Sequence, residues 1–350
     1  MTTRIFVTGG AGFIGSNFIR YIFSKSNDVE IINYDFLTYA GNLMNLMDVE
    51  SKDNYIFIKG DICDREGLFK TLKEVSPDFI INFAAESHVD KSIENPDQFV
   101  KTNINGVNNL LKCSLELDVK KFIQISTDEV CGSLDNEGFF TEESQISPRN
   151  PYSASKAAAE HLVKAYFHTY GLPINITRCS NNYGPYQFPE KLIPLTIVNC
   201  LNKRSIRIYG DGKQIRDWIH VVDHCSGIKQ ILDRGKNGEI YTISSNVEKT
   251  NLDIVTRIIK EVSEIMPKLG ISDNLITFVE DRKGHDRRYA NDASKIRKEL
   301  GWGPSIDFDE GLRYTVKWYL DNQNWIGSIL SNYYQKYNDK YCERRGRYQF

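Results

Sequence analysis

Residues 4–15, RIFVTGGAGFIG, decide the fold. A β-branched and aromatic run enters glycines at 9, 10, 12 and 15, and an apolar helical stretch follows from about Phe13. A strand that turns into a helix through Gly9, Gly12 and Gly15 makes a phosphate cradle: one glycine permits the tight turn, one admits a pyrophosphate to the backbone, and one lets helix pack on strand. The helix N-terminus adds free N–H groups and the positive end of a dipole. Asp35 ends the next apolar run, where an acid accepts hydrogen bonds from ribose hydroxyls and repels a 2′-phosphate. The cofactor implied is NAD rather than NADP.

Outward from this turn, short apolar runs alternate with longer amphipathic stretches: EIINYD (30–35), YIFIKGDI (55–62), FIINFAA (79–85) and KFIQIS (121–126). That rhythm predicts an α/β fold, a Rossmann-type doubly wound parallel sheet whose strand ends open on a ligand crevice. It loosens after Asn182. The expected division is therefore a dinucleotide-binding domain over 1–182 and a smaller C-terminal domain over 183–350, with a segment near 216–244, including the strand-like WIHVVD, rejoining the first sheet. Further helices are expected at 251–266 and 308–321. The stretch from Asn322 carries five tyrosines and reads as a short surface helix with a frayed tail.

Composition narrows the partners. The chain has 350 residues, 41% of them hydrophobic, and a formal net charge of −2, so it offers no global attraction to nucleic acid or an anionic membrane. A basic-then-apolar leader and any long apolar span are lacking, and a cytoplasmic protein is expected. The seven cysteines are scattered without a CxxC pair, and the histidines lack metal-ligand spacing, so neither a disulfide framework nor a metal is expected.

Two further motifs carry chemistry. In YSASK, Tyr152 and Lys156 stand four apart, on one face of a helix that Pro151 and the following serines would start. An ammonium beside a phenol is expected to lower the phenol pKa and make Tyr152 a base. In IQISTDEVCG a strand runs into Thr127, Asp128 and Glu129. Adjacent acids at a sheet's carboxyl end can be solvated loop residues, or can divide the roles of proton donor and acceptor and titrate as a coupled unit.

With these motifs in place, the chain resembles the dTDP-glucose 4,6-dehydratase family of extended short-chain dehydrogenase/reductases. The resemblance runs to about Trp325 and rests on TGGAGFIGSNF, DFLTYAGNL, GDICD, FAAESHVDKSI, STDEV, NPYSASKAAAEHLV, TRCSNNYGPYQFPEKLIPL, IYGDGKQIRDWIHVVDH and DRKGHDRRYAND. It implies a nucleotide-sugar substrate for the C-terminal domain. It also implies a reaction in which C4 of glucose is oxidised, water is lost across C5 and C6, and hydride returns to C6. Tyr152 would take the C4 hydroxyl proton, Glu129 the C5 proton, and Asp128 would protonate the departing C6 hydroxyl. Thr127 would bond the C4 oxygen, and Lys156 would hold Tyr152 and the nicotinamide ribose.

The resemblance further implies NAD contacts at Phe13, Ile14, Asp35, Leu37 and Thr38. Asp61 and Ile62 would meet the adenine, with Ala84, Ser87, Thr102 and Asn182 completing the cofactor site. His88 and Asn181 are expected near the sugar. Around the nucleotide stand Lys191, Leu192, Tyr209 and Asn251, with Arg216, Arg282 and His285; the guanidinium forks suit a diphosphate. Members of the family dimerise through paired helices, here about 101–117 and 152–170, so a homodimer is expected.

Three departures from the family pattern stand out: Cys131 where the family has tyrosine in TDEVYG, Lys283 where it has proline, and YTISSN for YNIGG. Cys131 leaves two readings open, a tolerated change filled by neighbours or an altered outcome. The same reaction on UDP-glucose also stays open, as does a non-catalytic NAD-binding scaffold. A C4 epimerase would have no use for the acid pair.

Overall fold

The computed structural model describes residues 2–336, with side chains as far as residue 331. The tyrosines at 337, 341 and 348 and the tail expected after them lie outside the described residues.

Seven parallel strands form the main sheet. In chain order the strands of the described residues begin with β1 (Thr3–Thr8), β2 (Val29–Asp35), β3 (Tyr55–Lys59), β4 (Phe79–Asn82), β5 (Lys121–Thr127) and β6 (Ile174–Cys179). Then come β7 (Asn181–Tyr183), β8 (Ile206–Tyr209), β9 (Ile215–His220), β10 (Ile240–Ile243), β11 (Glu248–Thr250) and β12 (Ile276–Val279). The main sheet runs β10-β6-β5-β4-β1-β2-β3, so the strand order reverses at β1 and β4, where doubly wound sheets open a ligand crevice. Strand β5 is buried along its whole length, as a central parallel strand covered on both faces must be.

Helices Phe13–Lys25 and Val221–Arg234 cover one face through Phe18, Ile22, Ile228 and Ile231. Helices Arg65–Val75, Val107–Glu116 and Pro151–Tyr170 cover the other through Leu72, Leu110 and Val163. A separate apolar core gathers Ile197, Ile258, Val316 and Tyr319. Helix Gln323–Lys336 joins that core through Trp325, Ile326 and Ile329, so it is packed rather than a surface appendage.

WIHVVD does not return to the main sheet. Its strand, β9, lies between β7 and β11 in a three-stranded sheet, and both its edges are thereby used. The wholly buried β10 pairs with β6 instead. The remaining strands, β8 and β12, pair in parallel. No helix among the described residues is long and apolar enough to cross a membrane.

Candidate active site

The glycine turn is fixed by backbone contact. Gly9 has φ +69°, and a Cβ there would lie 2.6 Å from the Ala84 nitrogen at the end of β4. At Gly15 it would meet the Gly9 carbonyl oxygen at 2.4 Å, whereas at Gly12 the nearest atom is 3.2 Å away. Gly12 is the N-cap of helix Phe13–Lys25 and, lacking a side chain, leaves the first N–H groups of that helix uncapped. The buried Asp35 accepts from the Ala11 and Leu37 N–H groups at 2.9 and 2.7 Å, which aims its carboxylate over the turn. Leu37 is held at φ +56° and does not line the cavity.

A cavity of about 480 Å³ runs from this turn to the ends of β5 and β6. Gly9, Gly12, Phe13, Ile14, Gly15 and Asp35 line one end; Thr38, Asp61, Ile62, Ala84, Ser87 and Thr102 extend it. Thr127, Asp128, Glu129, Tyr152 and Lys156 line the other end, with Asn181, Asn182 and Lys191. The predicted acids and the Tyr/Lys pair thus share one cavity with the phosphate cradle.

Local sequence explains how the reacting groups are presented. Asn150 caps helix Pro151–Tyr170 through the Ser153 N–H in a capping box, Pro151 occupies the first turn, and Gly171 ends the helix at φ +73°. Tyr152 and Lys156 are consequently displayed at the buried start of a long, well-terminated helix. Across from them β5 ends at Thr127, whose hydroxyl accepts from the Glu129 N–H, donates to Asp128 Oδ1 at 3.3 Å and shares a hydrogen bond with Tyr152.

The expected depression of the Tyr152 pKa is not found. Burial pushes the phenol well above its ordinary value, and Glu129, Cys179 and Asp128 add to the rise. Lys156 donates to the Ile125 carbonyl at 2.6 Å, and burial lowers its own pKa to about 8. The four-residue spacing puts both side chains at the cavity, but burial and the neighbouring acids, not the ammonium, set the phenol.

The acids are raised as well. Burial pushes Asp128 up to about 7, opposed by the Asn291 amide at 2.8 Å and reinforced by Glu129 and Asp217. For Glu129, partly exposed to the cavity, burial outweighs the cations Lys191, Arg216 and Arg282.

Of the other predicted substrate residues, Arg216, Arg282, Tyr209 and His285 gather in one group, while Asn251, Leu192 and His88 stand apart. Arg282 pairs with Asp90 at 2.8 Å and lies over the Tyr209 ring, whose edge meets His285. His285 pairs with Asp281 at 2.6 Å. Arg216 stacks 4.2 Å from the Tyr289 ring centre and donates to the Ile215 and Asp286 carbonyls. Asn251 begins helix Asn251–Ile265, with its N–H on the Gln214 carbonyl, and Leu192 begins helix Leu192–Leu201 against the second core. His88 caps helix Val89–Glu94 and stands 3.6 Å from Glu190, with burial lowering its pKa to about 4. None of these eight residues off the cavity wall, Leu37 included, touches the cavity itself.

Several site residues were not singled out in the sequence. Glu190 lines the cavity and accepts from Tyr39; burial works against its charge, but His88, Lys91 and Lys191 hold its carboxyl below the ordinary range. His224 bonds the Asn182 side chain at 2.9 Å. Asn291 and Asp217 stand behind Asp128. The available signal was an acid at 217 inside an otherwise strand-like run, since Asp217 is fully buried. Cys131 is buried among Val130, Phe140, Ala157 and Tyr289, with Arg178 donating to its sulfur at 3.8 Å. Lys283 is exposed.

A doubly wound sheet with a glycine cradle at its switch point and a Tyr/Lys pair on the facing helix defines a short-chain dehydrogenase/reductase. The chain belongs to the GDP-mannose 4,6 dehydratase family, whose model matches residues 6–315. It is 47% identical over 340 residues to dTDP-glucose 4,6-dehydratase of Xanthomonas campestris pv. campestris strain B100, covering 94% of this chain and 96% of that one. Among solved structures it resembles dTDP-glucose 4,6-dehydratase of Bacillus anthracis in complex with NAD, at 46% identity and a TM-score of 0.85 over 93% of this chain and 99% of the other. It also resembles the Streptomyces venezuelae dTDP-glucose 4,6-dehydratase with NAD and TYD bound, at 45% identity and a TM-score of 0.86, covering 92% and 98% of the two chains.

Proposed function

We propose that the protein is an NAD-dependent lyase that dehydrates dTDP-glucose to dTDP-4-keto-6-deoxyglucose. The observation that carries the reading is the acid pair Asp128 and Glu129 in the same cavity as Tyr152 and the glycine cradle. Oxidation alone needs only the Tyr/Lys pair; removing water needs a separate base and acid. The nucleotide choice rests on the dTDP-glucose relatives.

The chain's residues fit the cofactor: the helix N-terminus left uncapped at Gly12 suits a pyrophosphate, and Asp35 suits a ribose diol. When bound, NAD supplies the hydride acceptor, the returning hydride and a positive charge that favours the Tyr152 phenolate. Tyr152 Oη takes the C4 hydroxyl proton, with Thr127 bonding the C4 oxygen and Lys156 orienting the phenol and the ribose. Glu129 removes the C5 proton, made acidic by the C4 ketone, and returns it to C5 at the end. Asp128 gives its proton to the C6 oxygen as water leaves. One proton gained at Tyr152 and one lost at Asp128 balance, and Thr127, bonded to both, lies between them.

Phe13, Ile14, Thr38, Asp61, Ile62, Ala84, Ser87, Thr102 and Asn182 would complete the cofactor's surroundings. Arg216 and Arg282 would hold the diphosphate, with Lys191, Tyr209, His285 and Asn251 about the nucleotide and His88 and Asn181 toward the sugar. We also propose a cytoplasmic homodimer formed through the faces that expose Val100, Leu115 and Tyr170; light scattering at the dimer mass supports it and a monomer mass overturns it.

The deciding experiment incubates the purified protein with dTDP-glucose and, separately, UDP-glucose, followed by mass spectrometry. Loss of one water from dTDP-glucose is expected. Unchanged mass with isomerised sugar would mean epimerisation, and no product from either sugar would mean a scaffold.

A further inference from the structure

Asp128 is not an isolated acid. The Asn291 amide nitrogen donates to Asp128 Oδ2 at 2.8 Å and to Asp217 Oδ2 at 3.3 Å, so one side-chain NH₂ bridges two carboxyl groups. All three residues are buried, at 2%, 1% and 0% exposure for Asp128, Asn291 and Asp217. The three come from distant parts of the chain: the turn after β5, the segment after Arg288, and β9. Two carboxyl groups this deep and joined through one amide disfavour each other's ionisation.

The hydrogen bonds say which one holds the charge. Asp217 accepts from Ser244 Oγ, from the Val247 N–H at 3.1 Å and from Asn291. Asp128 accepts from Asn291 and, at 3.3 Å, from Thr127. The carboxyl with more donors keeps the negative charge, and its charge in turn holds the proton on its neighbour. We propose that Asp217, tied to Asp128 through the Asn291 amide, is a positioning residue that carries the negative charge of a buried carboxyl pair, so that Asp128 keeps the proton it delivers to the leaving hydroxyl. This rests on the acid role given above to Asp128.

Other groups face the pair. Glu129 and Cys131 come from Asp128's own turn, Tyr152 from its helix, Cys179 from β6, and Arg216 from β9. Glu248 of β11 faces Asp217. Burial pushes Asp217 up to about 6, below the value of about 7 reached by Asp128, the same order as the donor sets give.

The test compares pH profiles of dehydration by the holoenzyme on dTDP-glucose, with NADH absorbance followed separately. Asp217→Asn removes the like charge, so Asp128 loses its proton at lower pH, and the alkaline limb of the dehydration rate moves down by about one pH unit. The absorbance reporting C4 oxidation persists, which excludes a collapsed site. Ser244→Ala takes one donor from Asp217 and moves the limb the same way by less, in a change too small to prevent folding. An alkaline limb unmoved in both variants, or moved to higher pH, overturns the proposal. Asp128→Asn separates this from the underlying reading: if that variant still releases water at the parent rate, Asp128 is not the acid. If Asp128→Asn abolishes water loss while Asp217→Asn keeps the parent profile, only the role of Asp217 falls.

Discussion

The glycine turn and the acid turn sit at opposite ends of one cavity and are built in different ways. The glycine turn takes its shape from its own spacing of Gly9, Gly12 and Gly15, with Ala84 packed against Gly9 and Asp35 arriving at the end of the adjacent strand. The acid turn supplies Asp128 and Glu129 from one short stretch, but their state is set by Asn291, Asp217, Lys191 and Arg216, which the fold brings from far along the chain. A cradle for a rigid cofactor can be encoded as backbone shape. The protonation of a carboxyl depends on everything that surrounds it.

The sharpest way to break the contrast is at Gly15. A side chain there would press on the Gly9 carbonyl and on Gly10 Cα, which is backbone that cannot swing aside. Gly15→Val is therefore expected to abolish NAD retention and, if it folds, to cost about 2–3 kcal/mol. The ultraviolet spectrum of the purified protein and its urea midpoint check both. Normal cofactor content in this variant would mean that the turn is not set by its glycines.

Asp128→Asn tests the opposite end, where function is bought with stability. The folded pKa of Asp128, about 7, lies above the ordinary carboxylate value of 3.8, so the folded state binds more protons than the unfolded state between those values. Stability is therefore highest below about 4 as far as this group is concerned, declines as pH rises toward 7, and stays reduced above it. Removing the titrating group should raise stability above pH 7, by roughly 2–4 kcal/mol as an upper range, while dehydration falls by about 10²–10⁴-fold. Thermal melts at pH 5 and pH 8 check it: the gain should be larger at pH 8. A variant no more stable than the parent at pH 8 would mean that Asp128 is not strained by burial.

The same difference explains what could be read from the chain. The sheet was legible because strand, turn and helix each have a local pattern: the β-branched runs at 30–35 and 79–85, the glycine spacing, and the helix start at Pro151 and the following serines all lie within a few residues of what they build. Tyr152 and Lys156 were legible for the same reason. The pKa of Tyr152 was not, because a four-residue spacing reveals the ammonium and conceals the acids folded around it. Asn291 and Asp217 were likewise hidden, since nothing in YAND or RDWIH says that Asn291 reaches Asp128 across 163 residues and Asp217 across 74. WIHVVD misled because strand propensity does not say which sheet a strand joins; the pairing of β9 with β7 and β11 is a tertiary outcome.

Cys131 supplies the smallest expected effect and the finest test. It closes the acid turn, yet it faces Val130, Phe140, Ala157 and Arg178 rather than lining the cavity. The Asp128 carboxyl is held from far along the chain by Asn291, and Glu129 faces the distant cations Lys191, Arg216 and Arg282. If long-range partners set the acids, Cys131→Ala should cost only about 1 kcal/mol of stability for the lost sulfur and leave the dehydration rate and its pH profile within twofold of the parent. Burial pushes the thiol up to about 12, so iodoacetamide should also leave Cys131 unmodified in the folded protein at pH 8, as peptide mapping would record. A shifted pH profile in Cys131→Ala would show that the acids are aimed by the far end of their own turn, and the acid turn would then be as local a device as the glycine turn.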